Sequence, residues 1–438
     1  MVYSLTNSNN LKERAKKVIP HITGTFSRGP NHFVEGVYPV YAKSGLGSHF
    51  TDVDGNEFID YLMALGPITL GYNYKPVNDA IIKQLHEGIL FSLPNSKEVE
   101  LSELISQTIP NADMVKFEKS GSNAVTGAVR AARAITKRDK IAYCGSGGVW
   151  HDWQAAMVSR DDGVPKFNKD LIKIFEYNDS DGLEQIFIEN KDEIAAIILE
   201  PTIYEKPSSS FLQKVRTLAD ANNSLLIFDE IVTGFRFDLG GCQNLYNVKA
   251  DMVCFGKGMG NGLPISAITG PNEFMKFFDS LWVSSTNNPE ALSLAGTISV
   301  INEMKEKNTI QSCWRIGEKL FNGWNKIAKN YDLNINMIGY PIRMTIQCKD
   351  NNENDSMELE ALVLQEMIKQ GIFLAHGKSF LCYSHSEDDV VKTLNSFENT
   401  CKFINKIKPN QSYEHFLEGN MPKTIWSMAI PPTKKSFS

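Results

Sequence analysis

An α/β fold is predicted, with a mostly parallel central sheet in a large domain and a smaller α+β domain. Three observations predict it. Between residues 114 and 270, short apolar runs alternate with segments of helical period, the pattern of strands crossed over by helices. The runs Ala195–Leu199, Leu225–Phe228 and Met252–Phe255 are continuously apolar, as strands covered on both faces are. The chain has 438 residues, more than one core of ordinary size accommodates.

Taken in order, Leu11–Val18 has helical character and Ser27-Arg28-Gly29-Pro30 is a polar loop. Val37–Tyr41, His49–Thr51 and Phe58–Tyr61 read as strands, and Asp52–Asn56 as a hairpin turn with Gly55 at positive φ. The D-x-D-G start of that turn lacks the spaced ligands and terminal Glu of a calcium loop. Pro76–Glu87 and Lys97–Ile109 are helical. Met114–Phe117 is a strand, followed by the turn Ser120-Gly121-Ser122. A helix then places Ala124, Val125, Ala128, Val129, Ala132 and Ile135 on one face. Lys140–Cys144 is a strand that leads through the glycine-rich loop 145–148 to Trp150 and His151, and 153–170 is a further loop. Leu171–Tyr177 is a strand, Ser180–Glu189 a helix, Ala195–Leu199 a strand closing on Glu200-Pro201, and Phe211–Ala221 a helix.

Residues 290–330 are helical, Ile335–Gln347 a strand pair, Asp350–Ser356 an acidic turn, Glu358–Lys369 a helix and Gly371–Ala375 a strand. The expected division is 1–62 (a segment of the small domain), 63–300 (the large domain), 301–404 (the small domain) and 405–438, a polar tail expected to pack on a partner chain.

Composition narrows the function classes. The chain is 42% hydrophobic and 22% charged, as ordinary soluble proteins are, and its net charge of −6 offers no basic surface for nucleic acid. Seven cysteines occur without a CxxC pair, which argues for reduced thiols in a cytoplasmic protein. No signal-peptide core and no apolar run of membrane-spanning length is present.

Chemistry concentrates between Leu225 and Gly262. One strand ends in Asp229; the next is followed by Lys257, set among glycines. Groups just beyond the carboxyl ends of strands are where open α/β sheets place their sites. Pyridoxal 5′-phosphate requires such a pair: a lysine to form a Schiff base with its aldehyde, and an acid to keep its pyridine nitrogen protonated. A helix cap at Asp229-Glu230 and a surface loop lysine are the plainer readings of the same residues. The Ser120-Gly121-Ser122 turn, opening a helix, is an anion site by geometry, although serines also cap helices for structural reasons.

The run Phe228-Asp229-Glu230-Ile231-Val232-Thr233-Gly234-Phe235-Arg236, followed by Phe255-Gly256-Lys257-Gly258 and Gly262-Leu263-Pro264, resembles the class III aminotransferases. These are fold-type I pyridoxal-phosphate enzymes, and within the family the likeness is to glutamate-1-semialdehyde aminomutase. It extends from about residue 25 to about residue 400. The resemblance implies that Lys257 carries the cofactor and moves a proton, and that Asp229 pairs with the ring nitrogen. It implies that Ser120, Gly121 and Ser122 hold the phosphate, here in S-G-S-N-A where the family has S-G-T-E-A. Trp150 would stack on the ring with Val232 beneath it, and His151 and Glu200 would lie at its edge. Ser284, or Ser285 or Thr286 if the register slips, would reach the phosphate of the other subunit of a homodimer with shared active sites.

On the substrate side the aligned position for a carboxylate-binding arginine holds Asn31, with Arg28 three residues earlier, and Trp150 borders the same space. The family's second carboxylate position, near His376–Phe380, holds neither of its usual residues. The implied reaction passes an amino group from a small-molecule donor to an aldehyde or keto acceptor, for instance a sugar-derived carbonyl. The alternative is intramolecular transfer, as in the aminomutase; a third reading is a binding protein that kept the fold and lost activity.

Overall fold

The computed structural model describes residues 3–145, 148, 150–157, 161–350, 352–407 and 411–423. They form two compact units. One takes the residues up to 74 together with those from 311 onward; the other takes 75–310. The expected boundaries lay at 62/63 and 300/301. Parts of the loops 145–148 and 153–170, and residues 424–438 of the expected tail, lie outside the described residues.

The first unit opens with α1 (Thr6–Ala15), which starts five residues before the expected helix. Its unpaired N–H groups explain the shift: the amides of Asn7 and Ser8 donate to the Asp54 carboxylate at 2.7 and 2.8 Å. Three antiparallel strands follow, β1 (Ala42–Leu46), β2 (His49–Asp52) and β3 (Glu57–Asp60). Gly55 turns the hairpin at φ 89°, and Asp52 accepts the amides of Asp54 and Asn56, so both carboxylates serve the backbone. Val37–Tyr41 is not a strand. Its apolar residues are core plugs instead: Tyr38 is buried, stacks on Phe33, and donates its hydroxyl to the carbonyl of Leu374.

The second unit begins with α2 (Lys75–Glu87) and α3 (Lys97–Thr108). Next come β4 (Met114–Glu118), α4 (Gly121–Thr136), β5 (Lys140–Cys144), α5 (Asp152–Ala155), β6 (Ile172–Ile174), α6 (Ser180–Glu189), β7 (Ile194–Leu199) and α7 (Phe211–Ala221). After them run β8 (Leu225–Glu230), α8 (Gly241–Tyr246), β9 (Met252–Phe255), β10 (Ser266–Gly270), α9 (Asn272–Met275) and α10 (Ala291–Lys307). The seven strands lie in the order β4-β10-β9-β8-β7-β5-β6. From β9 to β6 all neighbours are parallel; β10 is antiparallel to both β9 and β4. Every residue of β7 and β9 is buried, which is why those segments show no polar alternation. Helix α4 packs its small residues onto the sheet. A side chain at Gly127 would meet Ile268 at 2.8 Å, so glycine there sets the helix–sheet distance.

The chain then returns to the first unit along α11 (Thr309–Asn330), followed by β11 (Ile335–Tyr340), β12 (Arg343–Cys348), α12 (Met357–Lys369), β13 (Ile372–Phe373), β14 (Ser379–Phe380) and α13 (Glu387–Ile404). Strand β13 adds in parallel to β3, and β11, β12 and β14 make a separate sheet. The described part of the tail makes contacts within its own unit: Glu418 N donates to Gln365 Oε1 at 2.6 Å, and Gln365 Nε2 to the Phe416 carbonyl at 3.0 Å.

Candidate active site

Strands β8 and β9 are neighbours, and their register sets the site. Asp229 pairs with Cys254, so the chain needs three further residues past that level to reach Lys257. Adjacent strands lie about 4.8 Å apart, so the acid and the lysine follow from the carboxyl ends of two neighbouring strands. Both are half-buried. Lys257 has φ 37°, a left-handed conformation unusual for a residue with a side chain. Asp229 accepts the Ile231 amide at 3.1 Å.

The next residue along has a different task. Glu230 is fully buried and accepts from Thr233 Oγ1 at 2.9 Å and from the amides of Cys242 and Gln243 at 2.8 and 3.2 Å. Burial pushes its carboxyl up to about 7 against the pull of those bonds. The cap reading of Asp229-Glu230 therefore belongs to Glu230, at the start of α8, and Asp229 is left at the strand end.

The anion turn lies close by. Ser120 is the N-cap of α4: its side chain accepts the Asn123 amide at 3.3 Å and also contacts Asn123 Oδ1. Ser266 Oγ donates to the Ser120 carbonyl at 2.8 Å. A side chain at Gly121 would lie 2.9 Å from Ile231 Cγ2, and one at Gly256 would lie 3.1 Å from Ile231 Cδ1. One isoleucine thus packs against the turn glycine on one side and the glycine preceding Lys257 on the other. That brings 120–122, 229–231 and 256–257 together.

Ser122 Oγ donates to the Gly148 carbonyl at 3.4 Å. Beyond it Trp150 is 74% exposed and meets His151 edge to face at 4.5 Å between ring centres. Burial lowers the His151 pKa, against the nearby Asp152. The core tryptophan of this region is Trp153, which donates its indole N–H to Thr126 Oγ1 at 2.8 Å. Val232 and Glu200 are half-buried beyond the ends of β8 and β7. Ser284 and Ser285 are exposed in the loop before α10. That loop is pinned at its end: Asn288 donates to Glu118, and Glu290 caps α10 and pairs with Lys119 at 3.0 Å.

Arg28 and Asn31 belong to the first unit. Arg28 is exposed and donates to the Ala64 carbonyl at 3.3 Å, and the Asn31 carbonyl accepts the Lys423 amide at 2.7 Å. The Ala64 segment is itself unusual, with Met63, Ala64 and Leu65 all at positive φ. Sequence reading missed Ile231 as a spacer, Ser266, Thr126 and Trp153. Only Ile231 carried a signal, since it stands inside the motif two residues after Asp229. No cluster of potential metal ligands occurs among the described residues.

The family model described as "Aminotransferase class-III" matches residues 33–383. The chain belongs to the class III aminotransferases. It is 34% identical to a 3-aminobutyryl-CoA aminotransferase from Cloacimonas acidaminovorans, covering 92% of this chain and 98% of that one. It is 33% identical to a glutamate-1-semialdehyde 2,1-aminomutase from Alkaliphilus oremlandii, with 92% and 100% covered. Among solved structures, the internal aldimine form of the FumI protein of Sphingopyxis superposes with a TM-score of 0.86 at 23% identity, covering 95% and 99%. An omega-transaminase from Sphaerobacter thermophilus gives 0.82 at 24%, covering 90% and 97%. This class III aminotransferase is accordingly a pyridoxal-phosphate-dependent enzyme of fold-type I. Its own residues fit that cofactor. A helix start where a Cβ on Gly121 would crowd Ile231, an acid at one strand end and a lysine after the next strand would supply an anion cradle, a partner for a cationic ring and an amine.

Proposed function

We propose that this enzyme transfers an amino group from a small-molecule donor to an aldehyde or keto acceptor that lacks a simple α-carboxylate, a sugar-derived carbonyl being one example. The observation that carries the reading is the pairing of β8 with β9, which leaves Asp229 and Lys257 at one sheet edge next to the Gly121 turn. When bound, the cofactor supplies an electron sink for bonds at the amine-bearing carbon. In this reading Lys257 is its covalent attachment point and then the general base that shuttles a proton to and from that carbon. Asp229 keeps the ring nitrogen protonated. Ser120, Gly121 and Ser122 bind the phosphate with the unpaired N–H groups of α4. Trp150 and Val232 enclose the ring, with His151 and Glu200 at its margin.

The acceptor class follows from Asn31 and from the absence of the family's usual residues near 376–380. Arg28 is left as the cation of that segment, and it is engaged with a backbone carbonyl. A homodimer in which Ser284 or Ser285 reaches the partner's phosphate is part of the proposal. It is supported by the exposed apolar residues Ile82, Leu85, Ile89, Leu90, Phe91 and Leu93, close together in sequence, the kind of surface that a partner chain covers. The seven cysteines are buried thiols, none in a disulfide, which supports a cytoplasmic site of action. No helix among the described residues is long and apolar enough to cross a membrane.

Intramolecular transfer is the second reading, favoured by the full-length match to an aminomutase. A panel of donors and acceptors separates the two. Stoichiometric release of the donor's keto product with amination of aldehydes or keto sugars supports transamination. Isomerisation of an amino aldehyde without external donor overturns it.

A further inference from the structure

We propose that Thr126 is a positioning residue for the cofactor's ring platform, and that it acts, with Trp153, by holding His151 as the neutral imidazole protonated on Nε2. The inference rests on the proposed roles of the 120–122 turn and Trp150.

Thr126 stands four residues after Ser122 on α4, so both project from the same helix face. Two hydrogen bonds cross from that face to the segment 148–153: Ser122 to the Gly148 carbonyl, and Thr126 Oγ1 to His151 Nδ1 at 2.6 Å. The second can be resolved chemically. An indole N–H only donates, so Trp153, 2.8 Å away, occupies a lone pair of the threonine oxygen. The hydroxyl has one hydrogen to give, and His151 Nδ1 takes it. The ring proton then sits on Nε2. A charged His151 would present a second N–H to the same oxygen and strand the hydroxyl hydrogen. Half-burial of the ring opposes that charge as well.

Trp153 makes the arrangement rigid. It is buried, packs edge to face on Tyr143 of β5 at 6.3 Å, and its neighbour Gln154 donates to the Tyr143 hydroxyl at 2.5 Å. Position is therefore handed from the sheet to Trp153, to Thr126, to His151, and finally to Trp150, which lies edge-on to the His151 ring. The helix whose start would hold the phosphate is thereby also the reference for the ring that would stack on the pyridine.

The test uses the full-length protein, with histidine ring-nitrogen NMR before and after cofactor loading, and His151→Gln to assign the signal. The native His151 should carry its proton on Nε2 and stay neutral at neutral pH. Thr126→Val, nearly isosteric, should lose that tautomer preference, bind pyridoxal 5′-phosphate about tenfold more weakly and weaken the circular dichroism of the visible band. Thr126→Ser, which keeps the hydroxyl, should restore all three. A native His151 protonated on Nδ1 would overturn the proposal, as would a valine variant with native affinity or a serine variant as impaired as valine. Should valine prevent folding, the native tautomer and the serine variant still decide it. If native protein binds no cofactor, the site assignment fails, while the tautomer separately decides the Thr126 arrangement.

Discussion

Two neighbouring acids at the end of β8 do unlike things. Asp229 leaves the sheet beside the lysine, whereas Glu230 turns inward and gathers two amides and a hydroxyl at the start of α8. Because burial lifts Glu230 from 4.5 to about 7, the folded protein binds a proton that the unfolded chain releases between those values. Stability from this group is present below its ordinary value and lost as pH rises through about 7. Glu230→Gln should flatten that part of the pH dependence of thermal unfolding, read between about pH 5 and about pH 8. An unchanged slope would show that the charge is not suppressed by burial. The motif singled out Asp229 but not the inward turn of Glu230; that depends on the backbone after the strand, where Gly241 at φ 75° brings α8 against the Glu230 carboxylate.

At the scale of elements, the sheet strands and the long helices were legible because burial on both faces erases polar alternation and helix burial imposes a period. Helix α7 falls at the expected residues, and β5, β7, β8 and β9 fall within two residues of expectation. What was illegible depends on partners distant in sequence. Helix α1 starts at Thr6 because Asp54, 46 residues beyond Ser8, supplies the acceptor that its first turn lacks locally. Asp54→Ala should therefore destabilise the first unit by about 0.5–2 kcal/mol, the usual cost of a lost cap, measured by denaturant midpoint. Loss of much less than this would mean that α1 is held by packing alone. Val37–Tyr41 misled in the opposite sense: its apolar residues satisfy a core, with Tyr38 donating to Leu374, and never pair as a strand. Strand β11 shows a third device. Asn325 accepts the Met337 amide at 2.8 Å and donates to its carbonyl at 3.0 Å, closing a sheet edge that no hydrophobic pattern could reveal.

For the whole molecule, the first unit is assembled from both ends of the chain, and His49 and Asp389 join them at 2.8 Å across 340 positions. Asp389 raises the His49 pKa, outweighing burial. Burial pushes Asp389 up, but hydrogen bonds from His49, the Ser386 amide and Ser48 hold it well below the usual carboxylate range. The histidine's share of stability is full below its ordinary pKa and fades as pH rises through the raised one; the acid's share fades only in strong acid. His49→Ala should thus lower the unfolding temperature more at about pH 6 than at about pH 9, and an equal loss at both would remove the ion pair from the account. Motif and strand end coincide at Asp229, Lys257 and the 120–122 turn, and the fold brings those sequence-chosen segments together. The site was not legible at Thr126 and Trp153, whose roles exist only once α4 lies against the segment after β5.

The central claim is that Lys257 is the amine that takes the cofactor, and peptide mapping after borohydride reduction tests it most directly. Protein loaded with pyridoxal 5′-phosphate and then reduced should carry the cofactor's mass on the peptide containing Lys257, and Lys257→Ala should carry it nowhere. Label on another lysine in the native protein, or none at all, would contradict the account.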